Sequence, residues 1–148
     1  MSDNYLHLIP TTPNYTPSAE QIQRAISLMS SIWPDVFPEV VARDEVEFID
    51  PGANLAAIYC PRCNSDLDMG WWGEAMDRAA ATGFRDLSIE TPCCGYPTTL
   101  NDLRYYWPVG FAKFSISFRN PGRDFDSATI QRVAEALGAE LRKVWAHY

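Results

Sequence analysis

At 148 residues and 16.7 kDa the chain is the size of one domain, and 47% hydrophobic against 21% charged residues exclude an intrinsically disordered polymer. Its 19 acidic and 12 basic side chains leave a net charge of -7, which argues against nucleic-acid binding driven by phosphate neutralisation. No run approaches the ~20 apolar residues of a membrane-spanning helix, and Met1–Tyr5 shows neither region of a secretion signal, so a cytoplasmic protein is expected.

In chain order, Tyr5–Ile9 reads as a strand closed by Pro10, followed by turn-like sequence to Thr16. A first helix is predicted from about Pro17 to Ile32. Thr16 before Pro17 suits an N-cap, and Ser18 with Gln21 offers a competing capping box. Ile22, Ile26, Met29 and Trp33 then share one face, and Pro34 and Pro38 end the helix. Val46 and Phe48 alternate with acids as a strand. The turn signal Asp50–Asn54 and a second strand, Leu55–Tyr59, complete a predicted hairpin. A second helix over Met69–Ala81 turns Trp72, Met76 and Ala79 or Ala80 inward, with Gly83 as its stop. Leu87–Glu90 is a short strand. Phe111–Arg119 is a longer one, with Ala112, Phe114, Ile116 and Phe118 on one face. A final helix is expected from Ser127 to near the C-terminus, on the stripe Ile130, Val133, Leu137, Leu141, Val144 and Trp145. The order β-α-β-β-α-β-β-α predicts a single α+β domain over residues 1–148. Its antiparallel or mixed sheet would carry helices on one face and a zinc-ribbon-like pair of cysteine loops.

All four cysteines fall in two tight pairs, Cys60-Pro-Arg-Cys63 and Cys93-Cys94-Gly95, each placed just after a predicted strand. A Cys-x-x-Cys turn can aim two sulfurs at one point, and four thiolates suit tetrahedral Zn²⁺, so Cys60, Cys63, Cys93 and Cys94 are the expected ligands of a structural zinc. The adjacent pair fits less easily, because neighbouring side chains of an extended backbone point apart unless a sharp turn intervenes. Two other readings stay open: four reduced cysteines packed as small hydrophobes, or thiol redox chemistry at Cys60-Pro-Arg-Cys63. In a thioredoxin-type site the motif opens a helix directly, whereas Asn64–Asp68 intervene in this chain.

His7 reads as a packed or solvent-facing strand residue, and His147 as a reserve metal ligand should one of the adjacent cysteines not serve. No GxxxxGK[ST] or GxGxxG occurs, so nucleotide-binding readings have no support. Glu74 and Asp77, three apart, read as a solvated helix face. The five tryptophans and dense aromatics around Trp71-Trp72 and Leu100–Pro108 are expected to form a second core over the metal loops. Should a recognition surface exist, Trp71, Arg104, Tyr105 and Tyr106 are its candidate residues.

The blocks Tyr5–Pro10, Cys60–Cys63, Trp71-Trp72, Ala75–Asp77, Thr91–Gly95, Leu100–Leu103, Trp107-Pro108 and Val144–Tyr148 together resemble a family of small uncharacterised bacterial proteins with CPxC and PCCG cysteine pairs. The resemblance implies a bacterial, single-domain unit and carries over no catalytic residue. Some similar proteins bear a sugar-transporter ATPase label, which a chain without a phosphate loop does not support. The expected function is a non-enzymatic, zinc-stabilised domain that binds another protein, with an immunity or antitoxin-like role as its concrete form. An enzyme using the cysteines, such as a thiol oxidoreductase, is the alternative. A zinc-ribbon nucleic-acid module drawing on Arg62, Arg104 and Arg119 is disfavoured by charge.

Overall fold

A computed structural model describes residues 3–148; Met1 and Ser2, which belong to the segment inspected for a secretion signal, lie outside that range. The chain runs β1 (Asn4–Pro10), α1 (Ala19–Ile32), β2 (Glu39–Ile49), β3 (Ala57–Tyr59), α2 (Met69–Ala81), β4 (Ser88–Glu90), β5 (Pro97–Thr99), a 3-10 turn (Leu100–Asp102), β6 (Arg104–Tyr106), β7 (Gly110–Arg119), α3 (Ser127–Leu137) and β8 (Leu141–His147). The fold is α+β, and its strand pairs are antiparallel.

The main sheet has the order β2-β7-β1-β8. Its inner strand β7 alternates apolar residues as the sequence predicts, and Phe114, Ile116 and Phe118 join Leu6 and Leu8 of β1 in one buried layer. Helices α1 and α3 cover that layer with Ala25, Met29, Ile130, Val133 and Leu137, while Trp33 stacks on Phe125 at 3.8 Å between ring centroids. Burying each large apolar side chain is worth about 1.5–3 kcal/mol, so this layer is the principal source of stability. Of the two possible caps of α1, Ser18 is the one used. Its hydroxyl accepts from the Gln21 N–H at 3.2 Å, and the Gln21 side chain accepts from the Ser18 N–H at 2.8 Å.

A second, smaller core gathers Ile58, Cys60, Leu67, Ala75, Ala79, Leu87, Leu100 and Leu103 under α2, and joins the main sheet through Val46 and Phe111. It is framed by two separate ribbons, β3-β6 and β4-β5. Asn101 ties this lobe to the sheet. Its side chain donates to the Thr11 carbonyl at 2.9 Å and accepts from the Phe111 N–H at 3.2 Å, while Arg142 donates to its carbonyl oxygen at 3.0 Å.

Two sequence expectations are corrected. The segments around Asp50–Asn54 do not form a hairpin: β2 pairs with β7, and β3 pairs with β6 in another sheet. The turn itself is present, but it bonds to the far end of the chain. The Ala53 N–H donates to the His147 carbonyl at 3.0 Å, and the His147 N–H to the Pro51 carbonyl at 3.1 Å, so the chain leaves the sheet there. The last helix also does not reach the C-terminus. Gly138 takes the left-handed conformation at φ 76° and closes α3, and Leu141–His147 becomes β8, paired along all of β1. The stripe that continues through Leu141, Val144 and Trp145 is ambiguous between periods, and the glycine decides it. The predicted order therefore lacked β5, β6 and β8.

Candidate metal centre

The two cysteine pairs meet at the tips of the two ribbons. Cys60 follows β3 directly, and Cys93-Cys94 lie in the loop between β4 and β5. Each loop spans six residues and is closed in the same way. The Cys60 N–H donates to the Ser65 carbonyl at 3.0 Å, and the Asn64 N–H to the Cys60 carbonyl at 3.0 Å. In the other loop the Thr91 N–H donates to the Tyr96 carbonyl at 3.0 Å, and the Gly95 N–H to the Thr91 carbonyl at 2.9 Å. Asn64 at φ 62° and Gly95 at φ 68° supply the left-handed residue that each turn requires. Arg62 from the first loop lies over the Tyr96 ring of the second, 5.7 Å from its centroid.

This geometry resolves the difficulty of adjacent cysteines. The four Sγ atoms all lie within 4.8 Å of one another. Cys60 and Cys94 are 3.8 Å apart, Cys63 and Cys93 3.3 Å, and Cys93 and Cys94 3.9 Å. A tetrahedron with metal–sulfur bonds near 2.3 Å has edges of ~3.8 Å, so the cage has the dimensions of a four-thiolate metal site. Among the described residues it is the one group of three or more Cys, His, Asp or Glu side chains placed to hold a metal.

The surroundings favour thiolates unevenly. Burial opposes ionisation of Cys60, but N–H groups of Cys63 and Arg62, with the Thr91 hydroxyl, outweigh it and bring the thiol down to about 6. The Ser65 hydroxyl and N–H hold Cys63 below the ordinary thiol range. Cys93 is pushed up to about 11, chiefly by desolvation, with proton sharing among the other sulfurs adding to it. A divalent cation at the centre would reverse that last effect, because a coordinated thiol loses its proton outright.

Cys60 has no exposed surface and belongs to the second core, while Cys63, Cys93 and Cys94 are exposed. Of the aromatics expected to form a second core over the loops, Trp71, Trp72 and Tyr105 do surround it, together with Tyr96, whereas Tyr106 and Trp107 are exposed. The proposed recognition residues divide accordingly. Tyr105 is held inside, its hydroxyl donating to the Leu100 carbonyl at 2.6 Å and accepting from Trp72 Nε1 at 3.1 Å, and burial raises its pKa. Trp71 is half-buried, whereas Arg104 and Tyr106 are exposed, Arg104 donating to Asn64 Oδ1 at 2.7 Å. Trp107, expected in that second core and not among the recognition candidates, is 45% exposed beside Tyr106 at 61%.

His147, the reserve ligand, is not among these donors; its Nδ1 lies 2.7 Å from Asn4 Oδ1 on the main sheet. His7 also sits on that sheet. Glu74 and Asp77 are exposed on α2, as expected of a solvated face. The three arginines weighed for a basic face are not equivalent, since Arg119 is on β7 in an ion pair with Asp3 at 3.0 Å. Comparison of the chain with protein-family models, curated proteins and solved structures returns no match. No described helix is long and apolar enough to cross a membrane.

Proposed function

We propose that Cys60, Cys63, Cys93 and Cys94 hold one Zn²⁺ as a structural centre, and that the chain acts by binding another protein. The observation that carries the first part is the sulfur cage itself: four donors within 4.8 Å of one another fill a tetrahedral sphere and leave no position for an activated water. Such a centre fixes the ribbons of a lobe whose own core is small. Softness of the donors favours zinc over magnesium or calcium, whose sites are built from oxygen.

Several features support a binding role. The -7 charge would steer a basic partner and speed its association. Tyr106 and Trp107 expose two aromatic rings at the end of the β3-β6 ribbon, the residue types that dominate binding energy at interfaces. An immunity or antitoxin-like role is the concrete form of this reading. Its test is affinity capture from the native host at low salt, with a Tyr106→Ala/Trp107→Ala protein alongside. A bound partner lost in the double variant is expected; equal capture by both proteins, or none by either, contradicts the reading.

Thiol oxidoreductase chemistry is the second reading, favoured by the lowered Cys60 thiol and the 3.3 Å separation of Cys63 and Cys93. The full burial of Cys60 and the start of α2 only at Met69 weigh against it, since neither provides an exposed thiolate at a helix N-terminus.

A further inference from the structure

The two loops correspond residue for residue, and the correspondence is broken at one place. Aligned on their closing hydrogen bonds, Cys60-Pro61-Arg62-Cys63-Asn64-Ser65 matches Thr91-Pro92-Cys93-Cys94-Gly95-Tyr96. The prolines match, Cys63 matches Cys94, and the left-handed Asn64 matches Gly95. Cys60, however, matches Thr91, and Cys93 matches Arg62. The first loop presents sulfur from its first and fourth positions, the second from its third and fourth.

We propose that Thr91 occupies the corner a fourth cysteine would take in a two-fold symmetric site, that Cys93 supplies the ligand which that corner lacks, and that the Thr91 hydroxyl is a positioning group for the metal-bound thiolates. The proposal rests on the reading that the cage holds a metal. Its geometry is direct. Thr91 is 2% exposed, and its Oγ1 lies 3.5 Å from Cys94 Sγ and 3.7 Å from Cys60 Sγ, close to the ~3.8 Å edge of a four-sulfur tetrahedron. Oγ1 accepts from the Tyr96 N–H at 3.0 Å, so its own proton is free to be donated to one of the two sulfurs. A hydroxyl in that place stabilises thiolate charge without binding the metal, and it orients the sulfurs it touches. Cys93, one residue before Cys94 in a tight turn, reaches the cage from the exposed side.

The consequence is that the ligand can be moved back. Thr91→Cys/Cys93→Ser restores the symmetric arrangement, and Zn²⁺ affinity measured by competition with a chromophoric chelator should return to within ~10-fold of wild type. Cys93→Ser alone should lose more than the ~10–100-fold that follows loss of an outer hydrogen-bond partner, and Thr91→Val should lose about that amount while keeping one zinc per chain. A second readout does not depend on affinity. In the zinc-loaded Thr91→Cys protein, iodoacetamide should modify one thiol, located at Cys93 by mass spectrometry, because the new buried sulfur displaces it. A wild type that binds no zinc would refute the metal reading itself. A wild type that binds zinc, together with a double variant no better than Cys93→Ser or a zinc-loaded Thr91→Cys protein in which Cys93 stays protected, would overturn the assignment of Thr91 to that corner, and a Thr91→Val protein with wild-type zinc affinity would overturn its positioning role.

Discussion

The imidazole of His7 is caught between two hydroxyls on the face of the main sheet. Its Nδ1 lies 2.7 Å from Ser117 Oγ, and its Nε2 lies 3.2 Å from the Tyr148 hydroxyl. The Tyr148 proton is already donated to the Asp50 carbonyl at 2.6 Å, so Tyr148 accepts from Nε2–H and Ser117 donates to a bare Nδ1. Burial, with the Arg43 charge added, holds His7 down to about 4. An unfolded chain protonates its histidines near 6.5, so between those values the unfolded state binds a proton that the folded state refuses. Stability should therefore fall as pH drops from about 6.5 to 4, with His7 accounting for about 3 kcal/mol by the end of that window. Urea unfolding of wild type and His7→Gln at pH 7, 5.5 and 4.5 checks this: the stability difference between them should shrink or invert toward acid, and a constant difference would contradict it. The cysteine pairs were legible because thiol spacing carries its own chemistry. Thr91 was not, since a hydroxyl becomes part of a sulfur cage only once the two loops are superimposed, although the shared Pro-x-Cys pattern was there to be aligned.

At the scale of elements, α1 and β7 were readable because cap, period and stop agree within each. Asp126 extends that pattern to α3 by accepting from the Thr129 N–H at 2.7 Å. Ser18→Ala and Asp126→Ala should each cost about 1 kcal/mol in chemical denaturation. The end of α3 was misread for a physical reason. Leu141, Val144 and Trp145 satisfy helical spacing, but Val144 and Ala146 are the positions buried, with the alternation of a strand paired to β1. Gly138 is what separates the two readings. A Cβ there would sit 2.6 Å from Gln21 Nε2 and 2.9 Å from the Tyr15 hydroxyl, in a backbone conformation that disfavours side chains. Gly138→Ala should accordingly destabilise the fold by about 1–2 kcal/mol, where the same change inside a helix would stabilise it. An increase in stability would contradict the assignment of Gly138 as the stop. The false hairpin has a similar origin: Asp50–Asn54 is a true turn, and local sequence gives no indication that its partners are β7 and the C-terminal strand.

The molecule as a whole is a four-stranded sheet with two helices on one face and a cysteine lobe at one end. Phe111 is the principal hinge of packing between them: it is fully buried, and lies 5.3 Å from Phe48 and 5.5 Å from Phe84 between ring centroids. Phe111→Ala should cost about 3–5 kcal/mol, because it opens a cavity in the second core where that core rests on β7. A metal centre in the lobe would contribute folding energy to the part with the smaller core. Chelation should then raise amide exchange in β3-β6 and β4-β5 while β1 and β7 stay protected, and should change the fluorescence of Trp71 and Trp72. Uniform exchange across both parts would contradict a local staple. The most direct measurement is metal content and accessible thiols on one natively purified sample. A structural centre requires one zinc per chain and no reactive thiol until denaturation with chelator releases all four. Metal-free protein whose thiols cycle reversibly between reduced and oxidised forms would contradict it, and would make thiol chemistry the function to pursue.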